Sequence, residues 1–144
     1  MTFQAERSSI EQRLINNLSD TYIQFDNVLG LVDSAGNKVD SQSALTEWVS
    51  LTILTNVGIH AEIGGQFTRQ EGLISVQVFT KTGTGTQRAR EIAESIRTIF
   101  HLVQFDDITT RAGSMTVVGE QTTTEDVGNW YQINLDFPYF RHQS

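Results

Sequence analysis

The stretch that most resembles a site for chemistry is Val78–Glu91, VFTKTGTGTQRARE, in which two glycines separate a strand-like run from a helix-like run. A Walker phosphate loop requires Lys-Ser or Lys-Thr directly after its last glycine, because lysine reaches the phosphates and the hydroxyl holds Mg²⁺. Here the letters TQ follow Gly85, and Arg88 occupies the position of the third glycine of a dinucleotide fingerprint. Gly83 and Gly85 are therefore expected to turn the backbone from strand to helix, since glycine tolerates positive φ. A nucleotide- or phosphate-binding enzyme that uses this glycine pair is the alternative hypothesis from another functional class.

The remaining candidate residues for catalysis or metal binding lack the spacing that their chemistry requires. His60, His101 and His142 form neither an HxH nor an HExxH pattern. Asp106-Asp107 follows a helix-like run and predicts a turn, because carboxylates that act together are brought across a cleft. The segment DSAGNKVD has Lys38 where a calcium loop requires glycine. No GxSxG elbow and no cysteine are present. We therefore expect no catalytic residue, no cofactor and no metal site, and a protein that is not an enzyme.

Length and charge limit the remaining functional classes. The 144 residues suit one domain of 1–144, which buries enough surface to form a core. A net charge of −7 opposes a sequence-independent grip on nucleic acid, which needs a basic patch. The N-terminus lacks the apolar run of a signal peptide, and no apolar run approaches the length of a membrane span. The sequence predicts a soluble protein with no membrane partner.

The pattern of apolar residues predicts two helices and several strands. Apolar residues at helical spacing indicate an amphipathic helix from Thr2 to about Leu18, and a second apolar stripe runs from Ala89 to Val103, with Thr86 as its N-cap. Alternation of period two indicates strands from Trp48, around GLISVQVFT and in a closing aromatic strand, where Pro138 predicts an edge or an end. Residues 26–43 form a polar loop. The expected fold class is α+β, with a mixed, mainly antiparallel sheet of four or five strands covered by two main helices.

A long hairpin is expected between the first two long strands. Gly64-Gly65 lies between them, and a glycine pair between strand-like runs indicates a hairpin. Its tip, residues 58–72, would project beyond the core and expose edges that pair with a partner. The arginines that open the second helix and the aromatic C-terminus are further contact candidates. The candidate subunit or partner interface comprises His60, Glu62, Gln66, Phe67, Arg69, Arg88, Tyr139 and Phe140.

Together these segments resemble the small tail-terminator-like proteins of long-tailed bacteriophages. In that family a G-apolar-x-V-x-V-F strand leads through a GxG connection into an A-x-x-x-A-x-x-[IL] helix ending in Phe. The resemblance covers nearly the whole chain, although members often carry a proline before the GxG where this chain has Lys81-Thr82. The matching residues are Gly72, Val76, Val78, Phe79, Gly83, Gly85, Ala89, Ala93, Ile96 and Phe100, followed by Trp130, Tyr131 and Phe137 in the closing strand.

The resemblance implies a structural virion protein without catalytic residues. Members assemble as a ring, usually a hexamer, that caps the head-proximal end of the tail tube, ends tube polymerisation and offers a face to the neck. The implied partners are other copies of this chain, the tail tube protein and a neck or head-completion protein, with assembly in the host cytoplasm. Double-stranded DNA would pass the lumen without specific binding, because an acidic lining does not grip it. Another head–tail connector or neck ring is the alternative within this class.

Overall fold

A computed structural model of the chain describes residues 2–19, 21–42, 45–55, 59–60, 68–83, 85–121 and 130–143. The fold class is α+β, as predicted: in these residues two helices accompany one mixed, mostly antiparallel sheet. The helices are α1 (Phe3–Asn17) and α2 (Gln87–Phe100). The strands are β1 (Ile23–Phe25), β2 (Leu31–Val32), β3 (Lys38–Val39), β4 (Glu47–Thr55), β5 (Ile59–His60), β6 (Thr68–Lys81), β7 (Gln104–Phe105), β8 (Ile108–Thr110), β9 (Ser114–Gln121) and β10 (Trp130–Gln143).

The first helix forms where the sequence predicts it. Thr2 is its N-cap, and the Thr2 hydroxyl accepts a hydrogen bond from the Ala5 amide at 3.0 Å, which satisfies one free N–H of the first turn. Ile10 and Leu14 lie one turn apart and are completely buried. Glu6 lies one turn before Ile10 and is also buried, so this apolar stripe carries a charge that the core must neutralise.

The second helix follows a glycine turn, as the sequence predicts. Gly83 and Gly85 both have positive φ, 83° and 85°, and a Cβ added at either would meet nothing within 4 Å. Backbone conformation, not close packing, therefore requires glycine at both positions. Thr86 is the N-cap residue, but its side chain makes no capping hydrogen bond and its backbone is already helical. The apolar stripe of α2 is buried and consists of Ala89, Ile92, Ala93, Ile96, Ile99 and Phe100.

The centre of the sheet consists of β4, β6 and β10 in antiparallel order. The register of β4 with β6 runs from Glu47 opposite Thr80 to Thr55 opposite Gly72, and β5 continues the pairing towards Thr68. β4 and β6 are therefore antiparallel neighbours, as a hairpin requires, but most of the predicted projecting tip lies outside the described residues, which omit 56–58 and 61–67. Along β6, Ile74, Val76 and Val78 are buried beneath the helices, while the residues between them face the opposite side and are half-buried.

The predicted number of strands is wrong, because the sheet has ten strands in the described residues and not four or five. Five of the additional strands have only two or three residues and are too short to show an alternating pattern. Two of them, β2 and β3, lie inside the predicted polar loop 26–43. Their turn is closed by the Asp33 carboxylate, which accepts hydrogen bonds from the Asn37 side chain and from the backbone amides of Ala35 and Asn37. The Asn37 side-chain bond, with these backbone bonds, lowers the pKa of Asp33.

The position of Pro138 also differs from the prediction of an edge or a strand end. Pro138 lies within β10, opposite Leu73 of β6. Its carbonyl oxygen accepts a hydrogen bond from the Arg111 amide at 2.8 Å, on the side of β10 away from β6. The proline nitrogen, which carries no hydrogen, faces that same side. It lies between the end of the β9 pairing at Asp136 and the start of the β8 pairing at Tyr139. The sheet accommodates proline there because no ladder hydrogen bond is required at that point.

The two faces of the sheet carry different side chains. The helix-covered face holds the main core, in which residues of β4, β6 and β10 pack against α1 and α2. The opposite face carries a smaller aromatic cluster at one end. Trp48 stacks on Phe79 with ring centroids 4.2 Å apart, and Trp130 meets Trp48 edge-on at 6.0 Å. Leu31 of β2 packs into the same cluster, so the 26–43 segment contributes to the core.

Candidate subunit and partner interface

The structure brings together two of the predicted interface residues, Arg69 and Phe140, on the face of the sheet that the helices leave uncovered. Phe140 of β10 lies opposite Glu71 of β6 and opposite Thr109 of β8. The Arg69 guanidinium lies 4.5 Å from the centroid of the Phe140 ring, and that of Arg111 lies 5.1 Å from it. Phe140 therefore contacts two cationic groups through its ring, which is an attractive arrangement.

One carboxylate serves both arginines of this cluster. Glu71 Oε1 lies 3.1 Å from Arg69 Nη2 and 3.8 Å from Arg111 Nη2. All three side chains are partly exposed, so each ion pair contributes at most about 1 kcal/mol. Arg69 Nε is buried and makes no hydrogen bond within the described residues. The cluster thus carries one excess positive charge on an acidic protein, and it can accept a carboxylate or phosphate group from a partner.

The sequence did not indicate Arg111 as an interface residue. It follows the three-residue strand β8, and Arg69 and Phe140 become its neighbours only through the register of β8 with β10 and of β10 with β6. No local pattern carries that information.

Tyr139, a third predicted interface residue, lies on the opposite face of β10 and is only 2% exposed. Its ring lies over Gly72, where a Cβ atom would overlap it. Its hydroxyl is 3.5 Å from Thr55 Oγ1. Burial raises the pKa of Tyr139 to about 12, because the phenolate would lose its hydration. Tyr139 therefore packs inside the chain, at the base of the hairpin.

A buried ion pair lies beside Tyr139. Arg141 Nε donates to Glu6 Oε1 at 2.9 Å, and both side chains are almost completely excluded from water. The second carboxylate oxygen of Glu6 accepts a hydrogen bond from the Thr55 hydroxyl at 3.3 Å. This network joins the first turn of α1, the end of β4 and the end of β10, segments that are far apart in sequence.

Arg88, also predicted to touch a partner, is engaged within the chain. Its guanidinium forms two hydrogen bonds with the Glu47 carboxylate, of which Nη2–Oε1 is 3.1 Å, and a longer contact with Glu91. The hydrogen bond to Glu47 raises the pKa of Arg88. The pair ties the start of α2 to the start of β4. Among the hairpin candidates, His60 has only its backbone described, and Glu62, Gln66 and Phe67 lie outside the described residues.

The exposed edge of the sheet at β9 was not anticipated. β9 pairs with β10 along one edge, and no strand pairs with its other edge among the residues that the structure describes. Met115 and Val117 are 48% and 45% exposed, and Val118, at the bulge opposite Gln132 and Ile133, is also exposed. Exposed strand edges with apolar side chains pair readily with other chains. The alternation of apolar and polar residues in SMTVVGEQ predicts a strand. It does not show that the helices leave this strand uncovered.

In the described part of the chain, the structure shows few features of a metal or ligand site. No group of three histidine, aspartate or glutamate side chains there could hold a metal ion. His101 Nδ1 accepts a hydrogen bond from the Gly113 amide at 3.0 Å, so this imidazole is used in holding a turn. Neither helix of the described residues is long and apolar enough to cross a membrane.

Comparison with known proteins identifies a shared fold but does not indicate a function. No protein-family model and no curated protein matches this sequence. A solved structure that is 15% identical in sequence superposes with a TM-score of 0.65, covering 98% of this chain and 96% of that chain. At this identity the similarity establishes a shared fold over nearly the whole length of both chains.

Proposed function

We propose that this chain is the subunit of a ring that caps the head-proximal end of a bacteriophage tail tube. The ring, a hexamer by the family resemblance, would end tube polymerisation and present the face that joins the neck. The observation that carries the proposal is the apolar edge of β9, which has no pairing strand among the described residues, because exposed apolar edges pair readily with other chains. The resemblance of the strand–GxG–helix segment to tail terminators supplies the identity of the assembly.

The chemistry of the molecule supports an assembly role. Gly83 and Gly85 are accounted for by their positive φ, and Arg88 beside them is held by Glu47. The charged cluster of Arg69, Arg111 and Glu71 around Phe140 offers a polar contact surface on the uncovered face of the sheet. The partly exposed ion pairs and the aromatic ring of this cluster are suited to contact with another protein.

The charge of the chain supports passage of DNA through the ring. Six copies of a chain with net charge −7 give a strongly acidic assembly. An acidic lining repels the phosphates of double-stranded DNA, so the genome would pass without being retained. The protein would be assembled in the host cytoplasm and remain in the virion, between the tail tube protein and the neck.

Native mass spectrometry and negative-stain imaging of the purified protein test the proposal. We expect closed rings at micromolar concentration, and rings at one end only of tubes assembled from the tail tube protein. Tubes polymerised with the protein present should be shorter than tubes polymerised alone, because capped ends stop growing. A chain that stays monomeric at all concentrations and leaves tube growth unchanged would refute the proposed function.

A further inference from the structure

A groove lies at the edge of the sheet opposite to β9. Its volume is about 190 Å³, and β1, β2, β3 and the turn between β1 and β2 form its walls. The lining is mainly apolar and includes Phe25, Val28, Leu29 and Val32, with Lys38 at its rim. Leu29 is 100% exposed and Val28 is also exposed. A fully exposed leucine beside an apolar groove gives this edge an exposed apolar surface of its own.

The groove and two apolar side chains of β9, Met115 and Val117, lie on the same side of the sheet. Val117 is opposite Ile133 and Met115 is opposite Leu135, and both partners belong to the core beneath the helices. At the other edge, Val32 is opposite Ile23, which in turn is opposite Val49 of the same core. Residues directly opposite each other share a face of the sheet. The helices thus cover the middle of this face and leave an apolar surface at each edge.

We infer that β9 of one copy of this chain docks into the β1–β3 groove of the next copy. This inference rests on the proposed ring and names the two surfaces that build it. The surfaces differ in shape, one a strand edge and the other a groove, so the contact joins unlike patches. A contact between unlike patches leaves one of each free on every dimer, and successive additions close into a ring if the rotation permits.

Charge complementarity supports a second copy as the occupant. Glu120 is the only charged residue of β9 and lies three residues beyond Val117. Lys38 lines the groove, and neither residue forms an ion pair with another described residue. Asp40 also lines the groove, so the electrostatic attraction is strongest when Glu120 lies next to Lys38 and away from Asp40.

Mixing two variants that each block one surface tests this contact. Leu29→Lys places a charge in the groove, and Val117→Lys places one on the strand. Both residues are exposed in the chain, so folding should be unaffected. We expect each variant alone to be monomeric at concentrations where the unmodified protein forms rings. An equimolar mixture should form dimers and no rings, because the intact strand of Leu29→Lys meets the intact groove of Val117→Lys. Leu102→Lys, at an exposed leucine elsewhere, should still form rings.

Disulfide cross-linking gives a second measurement that does not depend on loss of assembly. The chain contains no cysteine, so introduced thiols report only on the chosen positions. Leu29→Cys mixed with Val117→Cys should give a cross-linked dimer after mild oxidation, and either variant alone should give none. A chain carrying both cysteines should give a ladder that ends at the ring.

The outcomes separate this inference from the proposed function. Rings that persist in both lysine variants, without the predicted cross-link, overturn the docking of β9 in the groove and leave the ring intact. A cross-linked dimer from either cysteine variant alone indicates contact between like patches and also overturns the inference. Lys38→Glu should weaken ring formation at least tenfold, and the pair Lys38→Glu with Glu120→Lys should restore it. Failure of the unmodified protein to form rings or bind tube ends refutes the proposed function itself.

Discussion

Replacing Glu6 by glutamine tests how strongly the buried ion pair holds the ends of the chain together. The substitution keeps the size of the side chain and removes the charge opposite Arg141, whose side chain is 0% exposed. Removing one charge of a buried pair costs about 3–5 kcal/mol, because the remaining charge, here that of Arg141, keeps its desolvation penalty and loses the carboxylate 2.9 Å away. Domains of this kind have a total stability of about 5–15 kcal/mol, so the loss is a large share.

Two further variants turn this prediction into a controlled measurement. The double variant Glu6→Leu with Arg141→Met removes both charges and should be within about 2 kcal/mol of the unmodified protein, because buried pairs are often replaceable by apolar residues. Glu11→Gln breaks the Arg7–Glu11 pair, which has a similar length of 3.0 Å but is solvent-exposed on the Arg7 side. That loss should be at most about 0.5 kcal/mol.

Urea unfolding monitored by tryptophan fluorescence gives the three free energies, and thermal unfolding provides a check. At about 2–4 °C per kcal/mol for domains of this size, Glu6→Gln should lower the Tm by roughly 10 °C. The reasoning is refuted if Glu6→Gln and Glu11→Gln cost the same, because the expected difference depends on the burial of the first pair. It is also refuted if the double variant is less stable than Glu6→Gln alone.

Four other predictions concern Tyr139, the glycines and nucleotide binding. Gly72→Ala should destabilise the chain by about 1–3 kcal/mol, because the new Cβ overlaps the Tyr139 ring, and Tyr139→Leu in the same chain should recover part of the loss in urea unfolding. The pKa of Tyr139 is raised above its ordinary value of 10 to about 12 in the folded chain, so its contribution is complete below pH 10 and is lost as the pH rises towards 12. Unfolding measured between pH 9 and 12 should show this loss, at most about 2–3 kcal/mol, and Tyr139→Phe should remove it. Gly83→Ala and Gly85→Ala should each cost about 1–2 kcal/mol through positive φ, since no neighbour obstructs the methyl group. Addition of nucleotides should leave the Tm of the unmodified protein unchanged, and a shift abolished by these glycine substitutions would favour the phosphate-binding alternative.

Local patterns were sufficient to predict the elements that form the middle of the fold. The helical spacing of Ile10 and Leu14 and the alternation of Ile74, Val76 and Val78 each extend over several repeats, so burial could be inferred from sequence. Two-residue strands such as β2 and β3 offer no repeat, and their pairing depends on the Asp33 turn and on packing against Trp48. The number of strands was therefore wrong although the fold class was right.

The candidate contact surfaces depend on the register between paired strands, and local sequence patterns do not reveal this register. Arg69 and Phe140 are adjacent because β6 and β10 pair over fourteen positions, and a shift of one residue would place their side chains on opposite faces. The Glu6–Arg141 pair joins residues 135 positions apart. Pro138 indicated an edge, and only the order of β9 and β8 along β10 shows why it is tolerated inside the sheet.

Folding and assembly depend on different residues in this chain. Glu6, Arg141, Tyr139 and Gly72 hold α1, the base of the hairpin and β10 together, and the first three are buried. Leu29 and Val117 contribute little to that core because both are exposed. A charged substitution at either of these two positions should therefore change association while the free energy of unfolding stays constant, and a substitution in the buried network should change both. If Leu29→Lys were to unfold the chain, the apolar groove would belong to the core of the monomer, and the edge-to-edge ring would lose its physical basis.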